Sequence, residues 1–196
     1  MGEGQFKRKI RAALDMPETL PAMRRYFVNT MFDATFVMLG VIIGSALSSD
    51  PRLDVIITTL VTSAVALAIS TGTSVYEAET LEQTRRLDEI GRAMLTSVGD
   101  TSIGRASKVS INLIALINSL APIVAGTITI VPFLLISESD IILAAETSVA
   151  LAISMLFMTG FFMGRSGKGN PLLKGARMAT IGFVAFLICY FISGAI

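Results

Sequence analysis

Asp33 is the first residue of this chain that asks for a chemical explanation. It stands within Asn29–Leu47, NTMFDATFVMLGVIIGSAL, an apolar run long enough to cross a membrane. A carboxylate inside such a run costs about 2.5–3.5 kcal/mol on insertion scales, so it requires a partner or a task. On a helix at about 100° per residue, Asp33, Val37, Gly40 and Gly44 fall on one face. The acid thus shares a Gly-xxx-Gly surface on which two helices approach closely, and the expected partner is a second copy of the chain. The alternative is a solvated acid at the headgroup boundary, or a local cap.

A second group of acids follows the next apolar run. Thr59, Ser63, Ala66, Ser70, Thr73, Ser74 and Glu77 share one side of a helix. Hydroxyl oxygens along that stripe replace part of a cation's water, and Glu77 gathers cations at its mouth. The competing reading is a small-residue helix interface whose hydroxyls bond their own i−4 carbonyls. Beyond it, YEAETLEQTRRLDEIGRAML continues the helix, with Glu79, Glu82 and Glu89 in one sector. Oxygen ligands of this kind suit hard divalent cations. A solvated helix with Glu82 and Arg86 paired at i,i+4 would need no metal at all. In the later runs, Asn112, Asn118, Ser119 and Pro122 offer amides and a freed carbonyl, Glu146 sits about one turn into the fourth run, and Ser154, Met155, Met158 and Met163 read as core filler or soft ligands.

The elements that must position these groups are membrane helices. Of 196 residues, 53% are hydrophobic and only 16% charged, and the charges are confined to a few segments. Apolar runs near 28–47, 55–75, 109–136, 141–163 and 176–195 each reach the ~20 residues that span a bilayer. We expect an all-α, polytopic protein with five transmembrane helices. Residues 1–26 form a basic N-terminal arm, either an amphipathic surface helix (Phe6, Ile10, Ala13 and Leu14 at helical spacing) or a disordered tail. Residues 27–196 form the membrane domain, in which 76–108 is a short cytosolic helical segment. The links 48–54 and 137–140 are short enough to make helical hairpins. Of the 16 Lys and Arg residues, all but Arg52 lie in the arm, in 76–108 or in 165–177, three segments on one side of a five-span topology. The positive-inside rule puts that side, and the N-terminus, in the cytosol, with the C-terminus outside. The absence of His excludes imidazole ligands and shuttles, and the single Cys189 excludes a disulfide framework. No nucleophile–base pair is visible, so an enzyme is not expected.

Taken together these residues resemble the vacuolar iron transporter family. The resemblance rests on the frame from Asp33 to Gly40, the small-residue second span from Ser70 to Tyr76, the charged helix after it, the two-proline third span (Pro122, Pro132) and the ending N-P-L-L-K-G-A-R-M to Gly182. It covers roughly residues 27–196. It implies a dimer of five-span subunits that moves Fe²⁺, and Mn²⁺, out of the cytosol against protons, along spans one and two near the dimer axis. Two positions depart from the family's pattern: Thr71 stands where methionine is expected and Val75 where glutamate is.

The expected function is therefore export of divalent metal from the cytosol by proton exchange, from a homodimer formed through the first membrane helix. The metal residues are Asp33, Glu77, Glu79, Glu82 and Glu89. No resident cofactor and no nucleic-acid partner are expected, and the location is the cell membrane, with lipid around the spans. The competing function is a non-transporting dimeric membrane module whose basic arm holds lipid or a protein partner.

Overall fold

The computed structural model describes residues 3–48, 50–96, 99, 101–136, 140–166 and 170–193. These form six helices: α1 (Glu3–Leu14), α2 (Thr19–Ala46), α3 (Leu53–Met94), α4 (Ser102–Leu135), α5 (Ile141–Ser166) and α6 (Pro171–Ser193). Five of them, α2 to α6, are long and apolar enough to cross a membrane. Ser49, the stretch 137–139 and Lys168, parts of the links discussed above, lie outside the described residues.

The basic arm is helical in α1, with Lys7, Arg8, Lys9 and Arg11 exposed and Ala13 fully buried. α2 starts nine residues before its apolar run. Pro21 lies in its first turn, where the missing N–H would have had no helical partner. α3 has 42 residues, about 63 Å at 1.5 Å per residue, roughly twice the hydrocarbon thickness of a bilayer. The apolar run and the charged segment after it are therefore one continuous rod. It ends at Leu95, whose φ of 54° lies in the left-handed region. The Thr96 N–H bonds the Gly91 carbonyl (3.0 Å) and the Leu95 N–H that of Arg92 (3.4 Å), a Schellman cap built without the usual glycine. Pro122 and Pro132 both lie inside α4.

The chain divides into two compact units, Met1–Phe27 with Ile69–Leu120, and Val28–Ala68 with Ala121–Ile196. In the first, Ala22, Val75 and Ile114 form a small core against which Met23 and Tyr26 pack. α4 turns a period-3.6 stripe inward here: Gly104, Ser107, Ser110, Ile111, Ile114 and Asn118 are all buried. Asn118 donates from Nδ2 to the Thr71 carbonyl of α3, 3.1 Å away, while Asn112 and Ser119 bond carbonyls of their own helix. These amides and hydroxyls satisfy backbone and tie helices together.

In the second unit, Met38, Ile42, Ile56, Leu60, Ala64, Phe133, Ala144 and Ala145 make the main core, and Leu39, Ala152 and Leu156 a second. α3 and α4 touch closely at Gly126, where a Cβ would lie 2.7 Å from that of Ala64. α5 and α6 meet through small residues too, with Gly175 against Phe157 and Gly182 against Leu156. Small contact residues let helices without a hydrophobic driving force between them gain dispersion contact. Large apolar side chains such as Leu134, Leu173 and Phe191 point outward, as a helix in lipid requires.

Candidate metal path

Asp33 lies on the open face of α2. Within its unit, Ala34, Thr35, Met38, Leu39, Ile42, Ile43 and Ala46 are the buried side of the helix, and Asp33, Val37 and Gly44 are exposed, with Gly40 half-buried. A Cβ placed on Gly40 or Gly44 meets nothing within 4 Å. The small-residue surface is therefore not used to pack the helix inside its own unit. Beside it, Gly40, Gly44 and Leu47 line a groove of about 620 Å³ whose other wall is Cys189, Ile192 and Ser193 of α6.

The α3 acids separate into two classes. Glu77, Glu82 and Glu89 are exposed, whereas Glu79 is only 4% exposed. The cause is helical phase. Val75, Glu79 and Gln83 sit at i, i+4 and i+8 on the side turned towards α4 and the start of α2, and Glu77 is half a turn away. The Tyr26 hydroxyl donates to Glu79, and the Arg25 guanidinium carbon lies 5.1 Å from the centre of the Tyr26 ring. One turn on, Ser107 donates to the Gln83 Oε1 at 3.0 Å, with both residues buried. Around this pair the arm is anchored. Thr19 Oγ1 donates to the Ala13 carbonyl (2.8 Å) and lies 2.7 Å from Ser110 Oγ, and Glu18 pairs with Arg86.

That ion pair bears on the alternative of a solvated, internally paired α3. Arg86 is engaged by Glu18 rather than by Glu82, and the i,i+4 pair on α3 is Arg85 with Glu89, at 3.4 Å and largely exposed. Exposed pairs of this kind contribute about 0–1 kcal/mol, so Glu89 is held only loosely. The polar stripe of α3 is exposed over most of its length, from Ala66 to Glu77. Two of its hydroxyls are bonded to their own helix, Thr59 to Val55 and Ser74 to Thr71.

Among the described residues, no three Asp, Glu, Cys or His side chains come together to hold a metal ion. The site residues read from the sequence are thus distributed, with Asp33 on α2 and the glutamates spread along α3. Tyr26, Gln83 and Ser107 were missed. Their signal was the spacing Val75–Glu79–Gln83, which puts two polar groups on the buried stripe of an otherwise apolar contact.

The sequence model of the VIT family matches residues 78–194. An uncharacterized protein of Methanocaldococcus jannaschii is 26% identical over 174 residues, which are 87% of this chain and 88% of that protein.

Proposed function

The chain belongs to the VIT family, a family of membrane metal-ion transporters, and from that premise we propose that it exports Fe²⁺ or Mn²⁺ from the cytosol in exchange for protons. The observation that carries this reading is Asp33, a carboxylate in the apolar part of α2, exposed on a glycine face that its own unit leaves open. Two copies joined along that face bring two Asp33 carboxylates to one seam. Hard divalent cations take six or more oxygens, and one carboxylate supplies two at most, so the second copy and water complete the shell. A carboxylate that exchanges metal for a proton also supplies the coupling.

Glu77, Glu82 and Glu89 serve as exposed collectors on the part of α3 beyond the membrane, where negative charge raises the local cation concentration. Glu79 acts from inside the packing. The family's glutamate position is Val75 here, and Val75 is buried against Ala22 and Ile114. Glu79 lies one turn further along the same face, so it takes over the buried acid's role, and a cation reaching it displaces the Tyr26 hydroxyl. With Thr71 in place of a thioether, the preference for iron over manganese is weak. The orientation follows the basic segments, with the arm and the end of α3 in the cytosol and the protein in the cell membrane.

The test is uptake of Fe²⁺, Mn²⁺, Co²⁺ and Zn²⁺ by proteoliposomes under a pH gradient. Metal-dependent proton movement that is present in wild type and lost in Asp33→Asn supports the reading. Wild-type proteoliposomes that move none of the four metals sink it.

A further inference from the structure

The end of the second unit farthest along α2 and α6 contains a pocket of about 220 Å³ that the metal path does not use. Its walls are Ile42 and Ala46 of α2, Leu47 just past the end of that helix, Val149 of α5, and Phe186 and Tyr190 of α6, and the exposed Glu146 of α5 completes the lining. Glu146 is five residues into its helix, about 7.5 Å along the axis, and is the one charged residue between Ile141 and Gly164. An ionisable group in such a position is retained for a ligand or a partner. Its neighbour Ser148 is committed elsewhere, donating to the Thr129 carbonyl at 2.8 Å.

We propose that this pocket binds an organic ammonium ion, with Glu146 neutralising the charge and Phe186 and Tyr190 contacting the apolar substituents on nitrogen. Three features select that chemistry. Among the described lining residues, side-chain oxygens belong to Glu146 and Tyr190 alone. A hard divalent cation needs six or more ligands or must keep its waters, and aliphatic walls cannot hydrogen-bond those waters. The aromatic rings of Phe186 and Tyr190 lie 6.0 Å apart at a 32° tilt and form one wall. Rings of this kind attract alkylammonium groups through their negative faces, and a carboxylate beside them supplies the counter-charge. The volume is also suitable: a cavity of roughly 150 Å³ accepts benzene, so this one accepts a ring-sized body with substituents.

The site stands apart from the transport reading, because Glu146, Phe186 and Tyr190 do not belong to the proposed metal path; Leu47 alone lines both this pocket and the groove beside Gly40 and Gly44. Benzyltrimethylammonium and its uncharged isostere neopentylbenzene are the probes. Binding is measured by calorimetry on the full chain in neutral detergent, and in nanodiscs of phosphatidylglycerol or phosphatidylcholine with empty discs subtracted. Wild type binds the ammonium at least tenfold more tightly than the isostere. Glu146→Gln removes that preference, and Tyr190→Leu weakens ammonium binding severalfold while sparing the isostere. If the ammonium binds in phosphatidylglycerol discs but is excluded in phosphatidylcholine discs, the natural ligand is a lipid headgroup. Equal binding in both identifies a free ammonium compound. Metal uptake by Glu146→Gln stays within twofold of wild type, so loss of transport and loss of this site are told apart. Wild type without preference for the ammonium, or Glu146→Gln binding it as wild type does, overturns the proposal. Should Glu146→Gln fail to fold, the wild-type comparison of the two probes and the Tyr190→Leu result decide it.

Discussion

Breaking the contact between Tyr26 and Glu79 separates the buried acid of α3 from the exposed ones. Tyr26→Phe keeps the ring against Ala22 and Ile114 but removes the hydroxyl that donates to Glu79. The carboxylate, 4% exposed, then loses a donor that water does not easily replace. Leaving a buried acceptor short of its partner costs about 1–3 kcal/mol. For a chain of this size 1 kcal/mol corresponds to about 2–4 °C in melting temperature, so the shift is about 2–12 °C. Glu79→Gln keeps an acceptor oxygen and exchanges a charged hydrogen bond for a neutral one, which costs about 1 kcal/mol. The double variant must cost less than the sum, because both changes act on one bond. Independent sites add to within about 0.3–0.5 kcal/mol, and here we expect a coupling of about 1 kcal/mol. The assay is thermal unfolding in mild detergent for the two single variants, the double variant and Glu77→Gln. The last is an exposed control and should stay within about 0.5 kcal/mol of wild type. Additive Tyr26 and Glu79 effects, or a Glu77→Gln effect as large as that of Glu79→Gln, would refute the assignment of Glu79 to the interior.

Other substitutions probe the remaining steps. Asp33→Asn keeps the shape of the side chain and should abolish metal-driven proton movement in liposomes without changing stability by more than about 0.5 kcal/mol, as for an exposed position. Gly44→Leu places a branched side chain on the open face of α2 and should convert dimer to monomer in light scattering, whereas an unchanged oligomer would remove the seam from the mechanism. Gly126→Ala forces a Cβ to 2.7 Å from that of Ala64, about 1 Å inside normal carbon contact. Overpacking of this kind costs about 1–3 kcal/mol, and Ala64→Gly in the same chain should restore most of it in the unfolding assay. In a chain with Cys189→Ala, a cysteine at Asp50 should react with an impermeant reagent from outside and one at Thr96 only from the cytosol; both positions are exposed. A reversed pattern would invert the proposed orientation.

Five spans were readable because a bilayer leaves a chain few choices. Backbone groups in hydrocarbon must bond within their own segment, so apolar runs of about 20 residues become helices whatever their neighbours do. The continuity of α3 past the membrane was readable for the same local reason, since nothing between Leu53 and Met94 breaks a helix. That Asp33, Gly40 and Gly44 share one face also followed from the 100° periodicity, whereas its being open within its own unit is read from the structure. Sequence reasoning did less well with polar groups, whose partners come from other helices. Glu77 and Glu79 are two residues apart in an acidic stretch, and only the packing of α3 against α4 and the start of α2 makes one a buried, tyrosine-bonded acid and leaves the other exposed. Arg86 had Glu82 at the favourable i,i+4 spacing, yet the turn before α2 brings Glu18 to it instead. The close contact of Gly126 with Ala64 joins residues of α3 and α4 that no local pattern relates. The sequence by itself therefore determined what hydrophobicity and helical period dictate: the number of spans and the face that Asp33 shares with Gly40 and Gly44; it also grouped Glu79 in one sector with Glu82 and Glu89, of which the structure buries Glu79 alone. Which acid is buried, which cation each carboxylate meets and where Glu146 finds an aromatic wall were decided by tertiary structure, because hydrogen bonds and ion pairs act over a few ångströms between residues far apart in the chain.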